Sequence, residues 1–240
     1  MVEFTTTSRS IQDTGIKMLV HSGPGLGKTV LCATAPRPII LSSESGLLSL
    51  SRANIERLFG KDAPGITYDI PVINITNMQD LIGAYNWIFQ NKSSGDFQTV
   101  CLDSISEIGE ILLTTLKAST KDPRQAYGEL IEQLSLMLRN FRDLPGLNVY
   151  MSCKQERVVD GASGAINYTM LMPGSKLAQT LPYLFDEIFA LTIATAQDGK
   201  SYRVLNTQPS FSLTAKDRSG ALDPLEPPNL THIINKIRGI

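Results

Sequence analysis

The sequence predicts an α/β fold, with a mainly parallel central sheet flanked by helices and an antiparallel hairpin near the C-terminus. Three observations predict it. Short apolar runs of strand character alternate with longer stretches of helical periodicity. The first strand runs into a glycine-rich turn and then a helix. Near the C-terminus, Gln197-Asp198-Gly199-Lys200 separates two strand-like runs, the signature of a hairpin turn. The 240 residues, 42% of them hydrophobic, suit one domain spanning 1–240 with a core of proper size.

The elements follow in order. Residues 16–20 form the first strand, and 30–33 open the helix after the turn. Residues 38–41 are a short buried strand, 46–59 are helical, 70–75 a strand and 77–90 a helix. Residues 99–102 are a buried strand ending in Asp103. Ile105, Ile108, Leu112 and Leu116 repeat at helical spacing, and Tyr127, Leu130, Ile131, Leu134, Leu138 and Phe141 do so again. Pro145-Gly146 ends that helix, and 147–152 form the next strand. The small and polar stretch 158–164 reads as a mobile loop. Strands 188–195 and 202–207 make the hairpin, 216–220 is a polar loop, 224–228 a proline-rich turn and 230–237 a closing helix.

Composition narrows the function. Net charge is −1, with no strong split between the halves, so there is no basic footprint of a dedicated nucleic-acid binder. No apolar stretch approaches the ~18 residues of a membrane span. Residues 1–10 lack a basic-then-apolar leader, which predicts a cytoplasmic protein without membrane contact. Cys32, Cys101 and Cys153 sit in apolar runs without metal-type spacing and read as buried thiols. With only His21 and His232, a zinc site is not expected.

The chemistry starts at Ser22-Gly23-Pro24-Gly25-Leu26-Gly27-Lys28-Thr29. Strand, glycine-rich turn, Gly-Lys-Thr and helix make a phosphate-binding loop. Glycines let consecutive N–H groups face a polyphosphate, and a helix N-terminus adds positive potential. Lys28 is expected to reach the β- and γ-phosphates of a nucleoside triphosphate, and the Thr29 hydroxyl to hold Mg²⁺. Ser22 stands where the full pattern has glycine.

Asp103, at the end of an apolar strand, is the expected partner of that Mg²⁺; the alternative is a helix N-cap. Glu44, just after the second strand, is the candidate for orienting the attacking water, with Glu107 as a rival. Lys154, Gln155, Glu156 and Arg157 follow the 147–152 strand. Gln155 is placed to sense a γ-phosphate, whereas Lys154 and Arg157 could contact nucleic-acid phosphates. A solvated polar cluster is the alternative. Lys216 and Arg218, one residue apart in a loop, form a possible cationic finger for a neighbouring subunit's γ-phosphate.

Together these residues resemble the RecA-like branch of P-loop ATPases. They supply SGPGLGKT, then Glu44 in LSSESG, Asp103-Ser104 in VCLDSISEI, Gln155 in MSCKQER, and Lys216 and Arg218 in AKDRSG. The pattern is similar to that of small phage-encoded ATP-binding proteins of this branch, including the Sak-four type single-strand annealing proteins, whose LPYLFDEIFAL-like stretch is also present. The resemblance implies a RecA-like core and Mg²⁺-dependent, DNA-stimulated ATP hydrolysis. It implies a homo-oligomer, ring or filament, in which a neighbour completes each site. It further implies single-stranded DNA annealing or recombination, cooperation with a single-strand-binding protein and, for a phage protein, the host cytoplasm. The DNA loops then fall on 117–124, with Lys121 and Arg124, and on 154–168, with Lys154 and Arg157. A replication accessory role, as helicase loader or scaffold with little catalysis, is the alternative function.

Overall fold

The computed structural model describes residues 4–44, 46–161 and 163–240. The described elements run α1 (Thr7–Asp13), β1 (Lys17–Ser22), α2 (Lys28–Leu31), β2 (Pro38–Ser42), α3 (Arg52–Phe59), β3 (Val72–Asn74), α4 (Met78–Asn91), β4 (Thr99–Asp103) and α5 (Ile105–Ser119). They continue with α6 (Pro123–Arg142), β5 (Asn148–Val159), β6 (Ile166–Leu171), α7 (Ser175–Thr180), β7 (Glu187–Thr195), β8 (Ser201–Asn206), β9 (Lys216–Asp217), β10 (Leu225–Glu226) and α8 (Leu230–Arg238).

The sheet order is β10-β8-β7-β1-β5-β4-β2-β3. From β7 to β3 every pairing is parallel. The additions β8, β9 and β10, and β6 against β5, are antiparallel. The fold class expected from the sequence is therefore the one observed. One strand, β5, separates the P-loop strand β1 from the Asp103 strand β4.

Period-two alternation splits the core between the two faces of the sheet. Leu19, Leu102, Val149 and Met151 point to the face covered by α4, α5, α6 and α7, with Ile88, Leu112, Leu134 and Phe141. Met18, Val20, Tyr150 and Phe189 point to the face covered by the P-loop helix and α8, with Leu31, Leu230 and Ile233. Both faces are covered, so the central strands read as continuous apolar runs. All three cysteines are free and buried.

Four regions differ from expectation. The helix after the P-loop keeps α geometry for only Lys28–Leu31 and tightens into a 3-10 turn at Cys32–Thr34. So short a helix adds little dipole, and the phosphate cradle rests on the loop's own N–H groups. The stretch 158–164 is not a long loop: Lys154 to Val159 pair antiparallel with Ile166 to Leu171. The region 117–124 is a tight junction of two helices, where Asp122 caps α6 ahead of Pro123. Lys117 lies over the Tyr127 ring. Lys216 and Asp217 form a short strand on β7, replacing the expected loop.

Candidate nucleotide site

The P-loop, Glu44 and Asp103 gather at the carboxyl edge of the parallel strands, where register places Ser42 beside Asp103 and Ser22 beside Lys154. They line a cavity of about 640 Å³ together with Gln155 and Arg203. Gly25 and Gly27 have φ of 74° and 105°, a region that side chains with a Cβ rarely adopt.

Lys28 folds back over the loop. Its Nζ donates to the carbonyls of Ser22 (3.0 Å) and Gly23 (3.1 Å) and to Ser22 Oγ (3.1 Å). The serine that replaces glycine thus supplies an extra oxygen to the lysine. Burial lowers the Lys28 pKa, while Asp103 and Glu44 pull it back up. Behind the loop, the buried Tyr150 hydroxyl donates to the Lys28 carbonyl at 2.8 Å and fixes the start of α2. Sequence reasoning missed Tyr150, which sits in an apolar run 122 residues from its partner.

Asp103 accepts from Thr29 Oγ1 at 2.7 Å and from Ser152 Oγ on the intervening strand. Burial pushes its carboxyl up, against the two hydroxyl bonds and the Lys28 charge. The helix-cap alternative is decided here: Ser104, joined to Asp103 by a cis peptide, caps α5 by accepting from the Glu107 N–H. The Asp103 carboxylate is left for the site. A hydroxyl and a carboxylate oxygen 2.7 Å apart are hard donors of the kind Mg²⁺ takes, and they fit that ion.

Glu44 accepts from Ser104 Oγ at 2.5 Å and lies 3.9 Å from Lys154 Nζ. Its rival, Glu107, is ion-paired with Lys154. The Lys154 ammonium is thus held between two acids beside the nucleotide cavity. Arg157 lies further along β5, exposed on the hairpin, and Lys121 and Arg124 are exposed at the α5–α6 junction.

Gln155 does reach the cavity. His21 is buried and neutral; burial takes its pKa down to about 4. Its Nε2 lies 2.7 Å from the Thr214 carbonyl and must be the protonated nitrogen. His21 Nδ1 therefore accepts from Gln155 Nε2 at 3.2 Å.

Lys216 and Arg218 are not brought to this site. Both lie by the start of β7, and from Met18, opposite Glu187, to Ser22 the β1 strand rises about 13 Å. Lys216 Nζ donates to the carbonyls of Pro182 (3.0 Å) and Phe185 (2.6 Å), and Arg218 pairs with Asp186 at 2.8 Å. Arg203 on β8, which sequence reasoning missed, lies over the P-loop. Its guanidinium is 3.8–3.9 Å from where a Cβ on Gly27 would sit.

The fold and site define a nucleotide-binding P-loop ATPase fold. The chain belongs to the AAA domain family, whose model matches residues 14–219. Among solved structures it is similar to the KaiC-like protein PH0186 from the hyperthermophilic archaeon Pyrococcus horikoshii. The identity is 12% and the TM-score 0.39, over 80% of this chain and 77% of that one. No curated protein matches. Among the described residues, no helix is long and apolar enough to cross a membrane.

Proposed function

We propose that this protein is a Mg²⁺-dependent ATPase that acts on single-stranded DNA in annealing or recombination, as a homo-oligomer of the kind phages encode. One observation supports a shared nucleotide site: Lys28, Thr29, Asp103 and Glu44 share one sheet edge, while Lys216 and Arg218 occupy the opposite edge. Cations so placed cannot reach their own nucleotide, but they can serve a neighbour's in a head-to-tail ring or filament.

Lys28 leaves Ser22 and Gly23 to neutralise the β- and γ-phosphate oxygens, and the loop N–H groups hold the rest. Mg²⁺ held by Thr29 and Asp103 would spread the charge developing on the phosphates. Glu44, released from Ser104, orients water toward the γ-phosphorus. The neighbour's Arg218, exchanging Asp186 for phosphate, stabilises the transition state. Gln155 in the cavity and Arg157 on the hairpin share one strand, so β5 connects nucleotide to DNA contact. Arg157, Lys121 and Arg124 contribute the phosphate contacts, and a single-strand-binding protein is the expected co-worker in the cytoplasm.

The test is ATP turnover with and without single-stranded DNA, beside Lys28→Ala. Turnover that Lys28→Ala abolishes and DNA raises supports the reading. Turnover that is negligible or unchanged in every sample overturns it. The Ser104 and Lys154 contacts of Glu44 favour a second reading, a helicase loader or scaffold in which nucleotide serves assembly alone. In that case Glu44→Gln leaves assembly and partner binding intact.

A further inference from the structure

A second cavity, of about 650 Å³, adjoins the phosphate cavity. The two share Gly27, Val30, Leu58 and Arg203 in their walls, so they meet at the far side of the P-loop turn. Their chemistry differs. The phosphate cavity carries Lys28, Thr29, Glu44 and Asp103. The second is walled largely by apolar side chains, among them Leu26, Phe59, Leu191, Ile193, Pro227 and Pro228. A polyphosphate gains nothing in such a place, whereas a flat, weakly hydrated ring does.

Arg203 marks the junction. It is half-buried, its guanidinium lies against Gly27, and no hydrogen bond or ion pair engages that guanidinium among the described residues. A planar guanidinium without an acid partner stacks well on an aromatic ring. The loop N–H groups cradle α- and β-phosphates, so the nucleoside must pass out of the loop into an adjoining space, and this cavity adjoins the loop at Gly27 and Val30.

We propose that the second cavity is the nucleoside subsite, with Arg203 stacked on the base at its mouth and Ile193 forming part of its wall. The assignment rests on the nucleotide-binding reading above and adds which residues hold the base.

The experiment separates the two. Calorimetric titration of the full chain with Mg²⁺ uses two probes, a non-hydrolysable ATP analogue and inorganic tripolyphosphate. The wild type binds the analogue more tightly. Arg203→Ala weakens the analogue about tenfold and tripolyphosphate by less than about twofold, the loss expected of one stacking contact. Arg203→Lys, which keeps the charge and loses the plane, resembles Arg203→Ala. Ile193→Trp, at an exposed wall position that tolerates bulk, blocks the analogue and spares tripolyphosphate. Lys28→Ala weakens both probes. If the Arg203 and Ile193 variants bind the analogue like wild type, or lose both probes equally, the subsite assignment falls while nucleotide binding stands. If the wild type binds neither probe, both fall.

Discussion

Glu187 provides the sharpest test of the energetics. It is 1% exposed, at the start of β7, directly opposite Asp217 on β9. Asp186 adjoins it, and Lys216 and Arg218 flank the group. Its Oε1 accepts from the Ser219 N–H, and its Oε2 has no partner while the carboxyl is ionised. Burial and the Asp217 charge raise its pKa from 4.5 to about 8, so at neutral pH it keeps its proton and can donate to Asp217. Asp217 stays ionised; burial pushes it up, but bonds from Ser219, Leu222 and Gly220 outweigh this and leave it lowered. The sign follows from proton counts. Below pH 4.5 both folded and unfolded chains hold the proton. Between 4.5 and about 8 only the folded chain does, so stability falls as pH rises, and above 8 the loss is complete. At about 1.4 kcal/mol per pH unit the ceiling is about 5 kcal/mol, and relaxation around the carboxyl leaves about 2–3 kcal/mol to measure. Glu187→Gln mimics the protonated acid and lacks the titration. Urea unfolding at pH 5, 6, 7 and 8 gives the difference between the two proteins. His21, Lys17 and other groups titrate in both and cancel. The gap should widen in favour of Gln by about 2–3 kcal/mol from pH 5 to 8. Parallel pH profiles would refute the reasoning.

Other outcomes follow from named contacts. Tyr150→Phe removes the bond to the Lys28 carbonyl and should cost about 1–2 kcal/mol in chemical denaturation, with weaker nucleotide binding alongside. Gly15→Ala would put a Cβ 1.9 Å from the Leu147 carbonyl oxygen, and it should cost about 3 kcal/mol in the same assay. Asp103→Asn keeps the fold, because the buried charge it removes is disfavoured, but it should lower turnover at least about 100-fold at saturating Mg²⁺. Lys28→Ala and Arg218→Ala should each be inactive alone. Mixed in equal amounts, they should recover up to about a quarter of wild-type turnover, since one interface in four pairs an intact P-loop with an intact finger. No recovery would mean that Arg218 does not act across the interface.

The parallel core was legible because it is buried on both faces, so its strands stand out as apolar runs between helices of clear period. The P-loop and Asp103 were legible because their chemistry demands fixed residue types at strand ends. The β5–β6 hairpin was not. Beyond Lys154 the strand leaves the covered part of the sheet, and Val158, Val159, Ile166 and Tyr168 are all partly exposed. On β5 past Lys154 no alternation marks the strand; on β6 Ile166, Tyr168 and Met170 alternate with Asn167 and Thr169, but only Met170 reaches the core, so backbone pairing defines the hairpin. Arg203 was hidden for a related reason. It sits in a hairpin strand whose polar positions look solvent-facing, and its meaning appears only when β8 folds beside the loop at Gly27.

Lys154 shows what sequence position leaves open. At the end of an apolar strand, a lysine in a charged run reads as a phosphate ligand. Register puts it beside Ser22 and between Glu44 and Glu107, where it restrains the candidate base. Its neighbour Gln155 belongs to the same edge but faces His21, and His21 in turn holds the Thr214 carbonyl just ahead of β9. A change at Gln155 therefore has a short route of two hydrogen bonds to the strand carrying Lys216. The two sheet edges are far apart along β1, yet the residues assigned to them are neighbours in the hydrogen-bond network. Under the oligomer proposed above, this link would relate the nucleotide a subunit holds to the Lys216 and Arg218 it offers a neighbour.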